Sequence, residues 1–198
     1  RYFGGLTREF QTDVGTLAQG IVGAGVKMEY ILFDDCYMSS VEVAYELKEA
    51  TRFLIASTSE MMAYGMPYAI VGEFLLGNPD YGSLCEGFHD FYSTYEMMPC
   101  GTLAVTDCSE LDNMAAIMKS INDRYVFDYS LQGELQGLDG YTPVIFYDFA
   151  DYVLTLCSDP VLTARFREQL ERLVPYKPHT SKFYSRAKGT FPYVLFRG

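Results

Sequence analysis

Tryptophan is absent, histidine occurs twice, and positive charge is scarce: Lys+Arg 15 stand against Asp+Glu 26, a formal net charge of -11 over 198 residues. That shortage argues against nucleic acid and against an anionic membrane surface as partners, since both require a basic footprint. No apolar run approaches the roughly 20 residues needed for a membrane span. The five cysteines (Cys36, Cys85, Cys100, Cys108, Cys157) form no C-x-x-C pair and no metal-ligand spacing with His89 or His179. Their odd number leaves at least one thiol outside any internal pairing, and the simplest role for each is that of a small buried hydrophobe. No D-x-[DN]-x-[DN]-G ladder marks a calcium loop. No cofactor or metal site is identified, and a calcium requirement stays open. Hydrophobic residues make up 49% of the chain and charged residues 21%, a balance that supports a sizeable core and is unlike that of disorder.

Hydrophobic patterning alternates strands with helices, which indicates an α/β fold with a mostly parallel sheet and helices on both faces. Strands are expected at Met28–Phe33, Arg52–Ser57 and Thr102–Asp107, with a further one at Phe191–Phe196. Helices are expected over Leu6–Gly25, Val41–Ala50, Ala69–Leu76 and Gly82–Tyr95. Another is capped by Ser109 and runs to about Arg124; the last two span Pro143–Cys157 and Pro160–Val174. Ser39 and Ser40 are candidate caps for the second helix. Thr58–Pro67 and the glycine-rich Gln132–Thr142 read as loops. No repeat or linker divides the chain.

Chemistry concentrates in Tyr30–Tyr68. An apolar strand runs straight into Asp34-Asp35-Cys36, and a helix opens within about four residues. In parallel α/β sheets, ligands and reactive groups collect at the carboxyl ends of strands. A cysteine there lies close to a helix N-terminus, whose partial positive charge favours thiolate. Two adjacent carboxylates oppose that effect, so a nucleophilic Cys36 requires an imidazole partner. Position alone leaves a second reading open, a small residue closing a strand.

The residues around Cys36 resemble the clostripain family of cysteine peptidases, of the caspase-like clan. The D-x-C-x-M strand end appears as Asp34, Cys36 and Met38. The S-x-E-x-A-Y-E-L helix appears as Ser40, Glu42, Ala44, Tyr45, Glu46 and Leu47. The I-A-S strand (Ile55–Ser57), the S-E-M loop (Ser59–Met61) and the G-M-P-Y turn (Gly65–Tyr68) extend the likeness over about forty residues. The caspase-type Q-A-C-x-G string is missing. The resemblance implies a caspase-like sandwich and a Cys–His dyad. Cys36 attacks the peptide carbonyl, its own backbone N–H helps hold the oxyanion, and the histidine protonates the leaving amine.

Relatives place that histidine upstream of the cysteine, where this chain has none. His89 and His179 read as structural or surface residues, so the implied partner is an upstream light-chain segment carrying the catalytic histidine. Family members are commonly matured by cleavage between the two, and Arg1 lies about where such a heavy chain begins; a truncated gene fragment would look the same. The expectation is one peptidase domain over 1–198, incomplete at its N-terminus and also at its C-terminus, and inactive alone. Members are mainly bacterial and exported, which implies an extracellular or cell-envelope location.

For specificity, relatives cleave after Arg or Lys with an aspartate two positions before the cysteine, which Asp34 matches. Asp34 also reads as a carboxylate tying down loop amides. Tyr64 stands where a second aspartate is expected; it can hydrogen-bond or stack on a guanidinium but brings no charge. Asp35 is a possible compensating acid, although strand alternation turns it to the other face. The substrate is a peptide or protein. The alternatives are a non-catalytic caspase-like scaffold or binding protein that keeps the fold without the dyad histidine, and a thiol transferase.

Overall fold

The computed structural model describes residues 2–4, 7–139, 143–184 and 193–195. Its central sheet contains β3 (Met28–Leu32), β4 (Thr51–Ala56) and β5 (Ala104–Asp107), in that spatial order. β3 and β4 are parallel, with Leu32 opposite Ile55; β5 returns antiparallel, with Val105 opposite Ile55. The sheet is therefore mixed. Beyond β5 the segment 176–180 continues it. The N–H groups of Val105 and Leu103 donate to the carbonyls of Tyr176 and Pro178 at 2.8 and 3.0 Å, and the Thr180 N–H donates to the Gly101 carbonyl at 3.0 Å. β3 forms the opposite edge among the described residues. Two smaller antiparallel pairs join β1 (Tyr2–Gly4) to β2 (Gln11–Asp13) and β6 (Lys182–Tyr184) to β7 (Tyr193–Leu195).

Alternation along β4 divides the core into two layers. Leu54 and Ala56 meet α1 (Val14–Gly23), α2 (Val41–Leu47), α5 (Leu111–Asn122), α6 (Phe149–Leu156) and α7 (Pro160–Leu173). Ile55 turns the other way, toward α3 (Tyr68–Val71) and α4 (Tyr81–Thr94). Helices thus cover both faces. Burial on both sides explains why β4 reads as a continuous apolar run, and each fully buried Leu or Ile contributes roughly 1.5–3 kcal/mol.

Several expected boundaries move, each for a local reason. The helix expected from Leu6 starts at Val14, because the Asp13 carboxylate accepts the Thr16 N–H and hydroxyl at 2.7 and 3.0 Å. Phe10, which has the helical spacing of Val14, Leu17 and Ile21, is 74% exposed. Ser109 does not cap the helix after β5; its N–H donates to Asp107, and a 3-10 turn (Cys108–Glu110) precedes α5. The helix expected over Pro143–Cys157 shrinks to Phe149–Leu156. Asp139 accepts the N–H groups of Ile145 and Phe146 at 2.9 and 2.6 Å, Gly137 bridges Tyr147, and Asp148 caps α6. Ala69–Leu76 divides into α3 and a 3-10 turn (Gly72–Leu75). Ser40 caps α2 as expected, its hydroxyl accepting the Val43 N–H at 3.3 Å. Of the expected strand Phe191–Phe196, Tyr193–Leu195 is strand and the other residues lie outside the described ones. No helix among the described residues is long and apolar enough to cross a membrane.

Candidate active site

Cys36 lies just past the carboxyl end of β3, in a turn that precedes the α2 cap. It is half-buried, whereas Cys85, Cys100, Cys108 and Cys157 are buried. Burial pushes the Cys85 and Cys108 thiols up to about 12 and the Cys100 thiol up to about 11. These three behave as small core hydrophobes, and Cys157 packs in the same way. The Met61 N–H donates to Cys36 Sγ at 3.3 Å, and Sγ lies 3.7 Å from the Met61 carbonyl. The loop after β4 therefore provides a backbone dipole directed at the sulfur, a contact that sequence reasoning did not anticipate.

The turn is conformationally special. Tyr37 has φ 58, the left-handed region that a non-glycine residue rarely adopts. Such a residue costs on the order of 1–3 kcal/mol and persists only when its surroundings over-determine it. Here its N–H donates to the Ser59 carbonyl at 3.0 Å, and the Ser39 N–H donates to the Ser57 carbonyl at 2.9 Å. Its ring stacks on Phe146 with centroids 5.0 Å apart and planes 6° from parallel. Burial first, then the Glu60 carboxylate, push the Tyr37 phenol well above its ordinary value, so it stays a neutral donor.

Asp34 and Asp35 diverge. Asp34 reaches the loop after β4, where its Oδ1 accepts the Met66 N–H at 2.9 Å. Gly65 makes this approach possible. Its φ is +74, and a Cβ there would lie 2.8 Å from Asp34 Oδ2. The Tyr92 hydroxyl fixes the same turn by donating to the Gly65 carbonyl at 2.7 Å. Burial and then the Asp34 carboxylate raise the phenols of Tyr68 and Tyr92. Asp34 nevertheless remains exposed. Asp35 is also exposed and bonds its neighbour: Oδ1 accepts the Cys36 N–H at 2.8 Å. The amide expected to hold an oxyanion is thus occupied by a carboxylate in this conformation. Tyr64, 51% exposed, belongs to an aromatic ladder, its ring 4.7 Å from Phe91 and 5.5 Å from Tyr95.

His89 and His179 both lie on elements other than the Cys36 turn. On α4, His89 Nδ1 is 3.5 Å from Asp90 and Nε2 is 3.3 Å from Ser93. His179 lies in the segment that flanks β5, its Nδ1 2.9 Å from the Thr180 carbonyl. Among the described residues, no group of three His, Cys, Asp or Glu could hold a metal ion. Sequence reasoning also missed a buried hydroxyl cluster of Ser57, Ser59 and Thr102 behind the Cys36 turn. The only signal for it was the run of hydroxyl residues directly after β4.

The sequence profile of the Clostripain family matches residues 13–161. Comparison with curated proteins gives no match. Among solved structures, the chain is similar to a clostripain from Bacteroides thetaiotaomicron in complex with the peptide inhibitor BTN-VLTK-AOMK. Identity is 62% and the TM-score 0.95, over 100% of this chain and 86% of that one. It is also similar to a secreted cysteine protease from the same organism, "iotapain", with 63% identity and a TM-score of 0.94 over 100% of this chain and 55% of that one. An inactive zymogen protease from Parabacteroides distasonis is 28% identical, with a TM-score of 0.81 over 94% of this chain and 54% of that one. The chain thus spans little more than half the length of two of these three relatives.

Proposed function

The chain belongs to the clostripain family of cysteine peptidases, and from that premise we propose that it forms the nucleophile-bearing part of an endopeptidase in which Cys36 attacks the peptide carbonyl. One observation carries the assignment. Cys36 is the half-buried thiol at a strand's carboxyl end, in a strained turn, with the Met61 N–H on its sulfur. A histidine delivered by an upstream light-chain segment completes the dyad, since His89 already faces Asp90 and Ser93 on its own helix. The position of β3 at the sheet edge among the described residues supports this arrangement, because an edge strand can pair further beside Cys36.

Basic specificity rests on Asp34. Its exposed carboxylate, held by the Met66 N–H and rimmed by Tyr68, suits an Arg or Lys side chain before the scissile bond. The inhibitor bound to the Bacteroides thetaiotaomicron clostripain ends its peptide in K, which supports the same preference here. Tyr64, half-exposed on the ladder with Phe91, would serve such a side chain as an aromatic surface. Export from a bacterial cell is proposed by analogy with the relative described as secreted.

A lysine-terminated peptidyl acyloxymethyl ketone tests the reading. In the complete protein it should modify Cys36 and abolish turnover, and Cys36→Ala should remove both effects. Residues 1–198 alone should cleave no peptide until the upstream segment is supplied. Turnover by the isolated chain at the complete protein's rate would sink the partner assignment. A complete protein that neither labels nor cleaves would favour the scaffold reading.

A further inference from the structure

Thr102, at the entrance to β5, is 2% exposed and lies far along the chain from Cys36. Its hydroxyl gathers three consecutive residues of the loop after β4: Ser57 Oγ at 2.8 Å, Thr58 Oγ1 at 3.1 Å and Ser59 Oγ at 2.9 Å. The Ser59 N–H is shared between Thr102 Oγ1 and Ser57 Oγ, at 3.2 Å from each. One hydroxyl has a single proton and two lone pairs, so at most three of these four contacts are hydrogen bonds at once, which saturates it. Ser57 and Ser59 are fully buried, which leaves them no water to replace it.

The residues that Thr102 gathers are those that grip the Cys36 turn. Ser57 and Ser59 give their carbonyls to the N–H groups of Ser39 and Tyr37, on either side of Met38, and two residues past Ser59 the Met61 N–H meets the sulfur. Tyr37 could not hold its left-handed conformation without such external bonds. We infer that Thr102 is a positioning residue for the nucleophile: through Ser57–Ser59 it fixes the loop that sets both the strained turn at Tyr37 and the Met61 N–H on Cys36. The inference rests on the reading of Cys36 as nucleophile. It adds a residue from another strand whose hydroxyl, rather than its bulk, is what the reaction needs.

The test uses the complete protein with its upstream segment. Thr102→Val keeps the shape and removes the hydroxyl, Thr102→Ser keeps the hydroxyl, and Ser59→Ala removes one partner alone. kcat and KM are measured on a fluorogenic peptide, and the rate of Cys36 carboxamidomethylation by iodoacetamide is followed against pH. Thr102→Val should lower kcat about 10- to 100-fold with KM within about threefold, since displacing a reacting group by about 1 Å has that effect. It should also shift the pH profile of Cys36 alkylation, which a merely structural role would not move. Thr102→Ser should recover most of the rate, and Ser59→Ala should fall between.

A folded Thr102→Val protein with parental kcat and alkylation profile overturns the inference, as does a Thr102→Ser protein no better than Thr102→Val. If Thr102→Val does not fold, parental kcat and alkylation in Ser59→Ala overturn it. Failure of the nucleophile reading looks different. Peptide turnover would survive Cys36→Ala, while the alkylation profile would still report what Thr102 does to that thiol.

Discussion

Asp34→Asn separates a specificity carboxylate from a structural one. The structure makes the substitution nearly silent for the fold, because Asn retains an Oδ1 that can accept the Met66 N–H now 2.9 Å from Asp34. The Tyr68 hydroxyl can turn from donor to acceptor toward the new amide. The expected change in stability is within about 1 kcal/mol, the worth of one neutral hydrogen bond. The charge, however, is lost. Asp34 is exposed in the free protein, but on the proposed reading a peptide side chain seated between it and Tyr68 displaces that water. Removing one partner of a desolvated ion pair costs about 3–5 kcal/mol, or roughly two to four orders of magnitude in kcat/KM. An ion pair left in solvent is worth about 0–1 kcal/mol, at most about fivefold. The assay compares kcat/KM for Arg and Lys peptides with that for citrulline and norleucine peptides, in parent and variant. The expected result is a fall above about a hundredfold for the cationic pair alone. An unchanged ratio refutes the placement of Asp34 in the pocket. Equal losses on all four substrates refute the charge argument, and Cys36 alkylation then reports whether the loop has moved.

The other predictions concern neighbouring groups. Asp35→Ala frees the Cys36 N–H from a carboxylate oxygen 2.8 Å away, so kcat should rise by up to about fivefold, the equivalent of one hydrogen bond of about 1 kcal/mol; a lower kcat would mean that the carboxylate assists the reaction. Iodoacetamide near pH 8 should label Cys36 first. Thiols pushed up to about 11 or 12 are ionised to no more than about 0.1% there, so peptide mapping that finds Cys85, Cys100 or Cys108 ahead of Cys36 would contradict the burial argument. Gly65→Ala adds a Cβ 2.8 Å from Asp34 Oδ2 at a φ of +74, and should cost about 1–3 kcal/mol by thermal or urea unfolding while weakening basic preference; a variant as stable and as selective as the parent would show that the turn is free to relax.

What the sequence made legible was local. The β3 strand, the Asp34-Asp35-Cys36 run and the Ser40 cap all lie within one short stretch, where apolar runs and capping chemistry act on near neighbours. Misplaced boundaries arose where a distant or competing group decided the outcome. Phe10 fits the helical spacing of Val14, Leu17 and Ile21, but the Asp13 carboxylate caps the helix after it. Val144–Tyr147 has the composition of a buried helix, but Asp139 takes two of its backbone donors. Strand–helix alternation gives no strand direction, so the antiparallel return of β5 could not be read from it. Within the site, the Asp35 bond to the Cys36 amide and the Thr102 cluster depend on side-chain rotation and on residues far apart in the chain. Neither has a periodic signature.

The two core layers give the Cys36 turn its geometry. Phe33 and Met38, on either side of it, are both sunk in the layer of α1, α2 and α5–α7. Asp34 reaches instead for the Met66 amide, and the Met66 side chain belongs to the layer of α3 and α4. Cys36 therefore lies where the chain is tied to opposite faces of the sheet within six residues, from Phe33 to Met38. Rigid clamping on both sides is what a strained residue such as Tyr37 requires. It also makes two classes of substitution separable. On the proposed function, changes around Met66, Gly65 and Tyr92 should act through Asp34 and alter which side chain is accepted. Changes around Ser57, Ser59 and Thr102 should act on the turn itself and alter how fast the bound peptide reacts. Because the two groups share no hydrogen bond among those described above, Asp34→Asn and Thr102→Val should combine additively in kcat/KM, to within about 0.5 kcal/mol on an Arg or Lys peptide. A larger coupling would place both groups in one network and dissolve the division.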